Sequence, residues 1–118
     1  MSWDVFVQDL PAGIESVGDI PDDFVPRDLG PRAAIVQAIQ RAVPSIDFTD
    51  PTWGRIEGQG YAIEINIRED DPVRSFAFHV RGGDDAAEVV AEVLAALNLR
   101  AIDPQSDTGL FSRDIRQR

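Results

Sequence analysis

Tyr61-Ala62-Ile63-Glu64-Ile65-Asn66-Ile67-Arg68 is the stretch on which the fold turns. Tyr61, Ile63, Ile65 and Ile67 fall on one side and Ala62, Glu64, Asn66 and Arg68 on the other, the period of two expected of a strand with one buried face. Residues 73–81 repeat the pattern, with Phe76, Phe78 and Val80 alternating with Ala77, His79 and Arg81. Between the two runs, Glu69-Asp70-Asp71-Pro72 is turn chemistry, so the pair predicts an antiparallel hairpin. A four-residue loop at 69–72 sets Arg68 opposite Val73, Ile65 opposite Phe76, Ile63 opposite Phe78 and Tyr61 opposite Val80. Residues 53–57 supply a third strand. A two-residue turn at Gly58-Gln59 sets Ile56 opposite Tyr61, Arg55 opposite Ala62 and Trp53 opposite Glu64.

Working outward, Trp3, Val5 and Val7 alternate with Asp4, Phe6 and Gln8, which predicts a first strand over 3–10 stopped by Pro11. Pro31 suits the first position of a helix, and Ala34, Ile35, Ala38, Ile39, Ala42 and Val43 form an apolar stripe at helical spacing, predicting a helix over 31–43. A linker around Asp50-Pro51 leads to the central strands. After Gly82-Gly83 a second helix is predicted over 85–98, with Val89, Val90, Val93, Leu94 and Leu97 inward and Asp85 with Glu88 resembling a capping box. Leu99 to Ile102 supplies a short last strand, and 104–118 reads as a tail. The order β-α-β-β-β-α-β predicts one α+β domain over 1–118, a two-layer sandwich of a mainly antiparallel sheet with two helices on one face.

Segment 11–30 carries Pro11, Pro21 and Pro26 and glycines at 13, 18 and 30, and reads as a loop of unusual length. Its charge is lopsided, with Glu15, Asp19, Asp22, Asp23 and Asp28 against Arg27 alone.

Composition removes several chemistries. With no cysteine there is no disulfide, thiol nucleophile or zinc–thiolate cluster, and a reducing cytoplasm suits such a chain. All eleven basic residues are arginine, as in a GC-rich bacterial genome, so no lysine can form a Schiff base or serve a P-loop. The 21 acidic residues give a net charge of −10, which repels phosphate backbones and points away from nucleic acid and toward a basic protein partner. No apolar run approaches a membrane span and the N-terminus lacks a signal-peptide pattern, so neither membrane insertion nor secretion is expected.

One constellation gathers mixed chemistry. On the outward face of the central strands lie Trp53, Arg55, Glu64 and His79, with Ala62 and Ala77 leaving a shallow floor between them. An acid, a base, an aromatic and the only histidine can bind a small polar ligand or assist proton transfer; an ordinary solvated sheet face with cross-strand charge pairs looks the same. His79 has no second histidine for a polyhistidine metal site, and Ser75 lies in no G-x-S-x-G elbow. The doublets Asp22-Asp23, Asp70-Asp71 and Asp84-Asp85 fit no calcium loop and read as turns and a helix start. Strand-Gly82-Gly83-helix has the outline of a phosphate cradle, yet Asp84, Asp85 and Glu88 would repel the phosphate. No cofactor or metal is expected.

Trp3-Asp4-Val5-Phe6-Val7-Gln8-Asp9-Leu10-Pro11, Leu99-Arg100-Ala101-Ile102-Asp103-Pro104-Gln105, Trp53-Gly54 and Arg81-Gly82-Gly83 resemble a family of small uncharacterised bacterial proteins. The resemblance spans most of the chain and includes no catalytic signature. In size and charge alone the chain is also similar to immunity proteins that neutralise toxins, which implies a binding role and no site residues. The leading expectation is therefore a non-enzymatic protein that binds a basic protein partner through Asp19, Asp22, Asp23 and Asp28 of the acidic loop. The alternatives are a small-molecule binder or enzyme using Trp53, Arg55, Glu64 and His79, and a homo-oligomer that buries this face or the edge strand 3–10.

Overall fold

A computed structural model of the chain describes residues 2–112. Six strands, β1 (Ser2–Gln8), β2 (Asp47–Asp50), β3 (Trp53–Gly58), β4 (Tyr61–Asn66), β5 (Ser75–Arg81) and β6 (Ala101–Ile102), form one antiparallel sheet in the order β2-β3-β4-β5-β1-β6. Helices α1 (Arg32–Ala42) and α2 (Asp84–Leu97) pack against each other on one face of it. The α+β class and the element order read from periodicity hold. The layers are thin, with principal extents of 38 × 34 × 19 Å.

The inward set is the one that parity dictates. Trp3, Val5 and Val7 of β1, Ile56 of β3, Ile63 and Ile65 of β4, and Phe76, Phe78 and Val80 of β5 meet Ile35 and Ile39 of α1 and Val90, Val93 and Leu94 of α2 in one buried cluster. Ile67 and Val73, just beyond β4 and before β5, join it.

Both hairpin registers differ by two residues from the sequence reading, which preserves every inward and outward assignment. The β3–β4 turn is Gln59-Gly60, so Ile56 faces Ile63, Arg55 faces Glu64 and Trp53 faces Asn66. Gly60 takes φ +78, a conformation that costs glycine nothing, and this moves the turn one residue onward. Between β4 and β5 the pairing ends at Asn66 with Ala77, placing Ile65 opposite Phe78 and Ile63 opposite Val80. Arg68 adopts φ +69 and leaves the strand, while Val73 pairs with Gly30 instead, its N–H donating to the Gly30 carbonyl at 2.8 Å and its carbonyl accepting from Leu29 N–H at 2.7 Å.

Further differences are local. Residues 47–50, read as part of a linker, form the edge strand β2. Helix α2 begins at Asp84 with Gly83 as its N-cap and no side-chain cap bond, so the Asp85–Glu88 capping box is not made; Asp84 and Asp85 instead sit in the first turn, where carboxylates favour the helix dipole. Residues 104–112 are no tail. They fold back through Asp103 N–H to the Gly109 carbonyl (2.8 Å) and Phe111 N–H to the Ala101 carbonyl (2.9 Å), burying Leu110 and stacking Phe111 on Trp3 with ring centroids 6.3 Å apart. Arg113, Arg116 and Arg118 lie outside the described residues.

Candidate functional site

With both helices on one face, the opposite face of the sheet is open. Its residues are set by pairing alone: Asp47 on β2 faces Arg55 on β3, Arg55 faces Glu64 on β4, Glu64 faces His79 on β5, and His79 faces Asp4 on β1. A polar row thus crosses five neighbouring strands. The adjacent row runs from Trp53 through Asn66 and Ala77 to Phe6 and Ile102.

Trp53, Arg55, Glu64 and His79 are therefore brought together. Trp53 reaches diagonally, its indole Nε1–H donating to Glu64 Oε2 at 2.8 Å, and its ring stacks on the His79 imidazole with centroids 5.9 Å apart and planes 26° apart. On the far side of His79, Nδ1 lies 2.9 Å from Asp4 Oδ1. In the tautomer with the proton on Nδ1, that N–H donates to Asp4 and Nε2 is the ring's remaining acceptor. Asp4 is the residue of this cluster that sequence reasoning left out. Its outward parity beside Phe6 was legible, but its partner lies 75 residues away.

Among the described residues, depressions open on this face. One, of about 220 Å³, is lined by Ser2, Asp4, Ala62, Glu64, His79, Val80 and Arg81. Another, of about 430 Å³, is lined by Asp47, Thr49, Asp50, Trp53, Arg55 and Glu64. Glu64 belongs to both. Ala62 provides part of the floor, as expected; Ala77 does not, being only 2% exposed on the row shared with Asn66 and Phe6.

Asp47 and Asp50 hold the β2 end in shape. Asp47 Oδ1 accepts from Thr49 Oγ1 (2.6 Å) and Thr49 N–H (2.8 Å), and Asp50 Oδ1 accepts from Thr52 Oγ1 (2.7 Å) and Thr52 N–H (2.9 Å). The threonine hydroxyl, then the backbone N–H, lowers each carboxyl below the usual aspartate value, with Arg55 adding to the effect at Asp47. A group whose folded pKa is depressed contributes stability above its unfolded pKa and loses it as pH falls through the folded one. An Asp47→Asn/Asp50→Asn double variant should accordingly differ most from the wild type near neutral pH, and the gap should close below the ordinary aspartate value of 3.8. Thermal melts in a series from neutral to acid pH read this, and a gap that does not change with pH would remove the carboxylates from the argument.

The acidic loop is not gathered into one site. Asp19 Oδ2 accepts from the N–H groups of Glu15 (3.0 Å) and Ser16 (3.1 Å), closing a 3-10 turn at Val17–Asp19. Asp28 pairs with Arg74 at 3.7 Å. Ile14 is buried and Val17 N–H donates to the Thr108 carbonyl, so the segment is fastened at several points. Asp22 and Asp23 are exposed and make no ion pair or side-chain hydrogen bond among the described residues, beside a Val25 that is 79% exposed.

Among the described residues no three His, Asp or Glu side chains come together so as to hold a metal ion, and no helix is long and apolar enough to cross a membrane. In comparison with known proteins, the chain matches no family model, no curated protein and no solved structure.

Proposed function

We propose that this protein works by binding a basic protein partner, in the manner of an immunity protein, rather than by catalysis. The observation that carries the reading is the open sheet face, on which Asp4, Asp47, Asp50, Glu57 and Glu64 outnumber Arg55 and Arg81. The net charge of −10 supports the sign of the partner, and Asp22 and Asp23 add a separate patch of unneutralised charge. Long-range attraction of this kind chiefly raises the association rate and fades as salt shortens the screening length to about 8 Å.

Stopped-flow association with basic proteins encoded by neighbouring genes tests this. The rate should fall steeply with salt, and Asp22→Lys/Asp23→Lys should slow it while leaving the melting temperature almost unchanged, because exposed loop substitutions usually stay within about 0.5 kcal/mol. A rate insensitive to salt sinks the reading. Sensitivity to salt without sensitivity to the reversal assigns the attraction to the sheet face alone.

A second reading, proton transfer on a small polar ligand, is favoured by the Asp4–His79 pair, which leaves His79 Nε2 as an oriented base beside Glu64.

A further inference from the structure

Resting on the binding reading, we propose that the depression between Asp4, Glu64 and His79 is the docking point for a single arginine side chain of the partner. Each carboxylate here is held by one oxygen: Glu64 Oε2 by the Trp53 indole and Asp4 Oδ1 by His79 Nδ1. The second oxygen of each remains an acceptor. They stand on β4 and β1, on either side of β5, so two oriented acceptors flank His79.

A guanidinium is planar, offers five N–H donors in a fixed fork, and stacks on flat π-systems; an ammonium offers one compact point of charge. The His79 ring, which lines the depression and is backed by Trp53, supplies the flat surface, and the two carboxylates supply the acceptors. Ala62 keeps the floor low, leaving the volume of about 220 Å³ that a side chain can enter. Arg81, opposite Ala62, lines the same depression, so its charge stands against those of Asp4 and Glu64 and leaves one net negative charge for a single cation. The source is a protein rather than a free amino acid, because the neighbouring row exposes 38% of Phe6, apolar surface that a lone arginine would leave wet.

The chain carries its own reporters. Trp53 Nε1–H is bonded to Glu64 at the site, and Trp3 Nε1–H is bonded to the Gly82 carbonyl at 3.0 Å on the helix side of the sheet. In ¹⁵N-labelled full-length protein, a peptide with one arginine among neutral residues should shift the Trp53 indole resonance and leave that of Trp3 in place. The lysine counterpart should bind several-fold more weakly. Ala62→Leu, which raises the floor without changing charge, and Glu64→Gln, which keeps an acceptor for Trp53, should each weaken the arginine peptide several-fold, with an unmoved Trp3 resonance certifying the fold. Equal response to the two peptides, no response at Trp53, or indifference to Ala62→Leu overturns the proposal. If a basic protein still associates in a salt-dependent way under those outcomes, binding stands and only the arginine site falls; if neither peptide nor basic protein binds, both fall.

Discussion

Phe78→Ala is expected to destabilise the protein by about 3–5 kcal/mol, the range for removing a large aromatic from a packed core. Phe78 is fully buried on β5, with Val5 opposite on one side and Ile65 on the other, and its ring lies against Phe76 with centroids 5.7 Å apart. No neighbour can close the void by a side-chain turn alone, since Ile63, Val80 and Val90 around the same cluster are fully packed as well. At about 4 °C per kcal/mol for a chain of this size, the melting temperature should drop on the order of 10–20 °C. Phe78→Leu, which restores most of the volume, should recover more than half of the loss. Calorimetry on the two variants decides, and a loss below about 1 kcal/mol for the alanine variant would mean that this residue does not stand in the core.

Gly82→Val is the second large effect, on the order of 2–5 kcal/mol, from two causes that add. Gly82 follows β5 with φ +133, a region that side chains other than hydrogen rarely enter. A Cβ there would stand 2.6 Å from the Tyr61 Cβ and 3.2 Å from its Cα, and the latter is backbone and cannot swing away. The same residue's carbonyl accepts the Trp3 indole N–H, so displacing the turn also disturbs the start of β1. Gly60→Val is the control: Gly60 shares a positive φ, +78, but an added Cβ there meets nothing within 4 Å, so the variant keeps the backbone strain without the crowding and should cost distinctly less in urea unfolding. Similar losses for both would mean that steric crowding at Tyr61 is not the cause.

Alternation was enough to place every inward side chain of β1, β4 and β5, because a shift of two residues changes the neighbour and never the face. It could not choose between registers that differ by two. That choice was made by Gly60, by Arg68 leaving the strand and by the capture of Val73 at Gly30, a contact across more than forty residues. Strand β2 was hidden because Asp47 and Asp50 are poor strand formers, and their side chains serve Thr49 and Thr52. Trp53, Arg55, Glu64 and His79 were gathered correctly from parity. Asp4 was missed because only the insertion of β1 beside β5 brings it there. For the aspartates of the loop, number alone did not show their partners: Asp19 accepts from the Glu15 and Ser16 N–H groups, and the exposed Asp28 pairs with Arg74.

Strand β1 lies inside the sheet, between β5 and β6, although it precedes both by most of the chain. During synthesis, residues 2–8 leave the ribosome early and then wait, without either neighbour, until residues 75–81 and 101–102 have followed. The helices and the β3–β4 hairpin can form meanwhile from nearby residues, whereas the two ladders of β1 must close long loops, which makes them the slow part of folding. Asp4 and His79 meet only in that step. The Asp4–His79 end of the open sheet face is consequently completed only when the ladders of β1 have closed, after the Trp53–Glu64 end has its own hairpin.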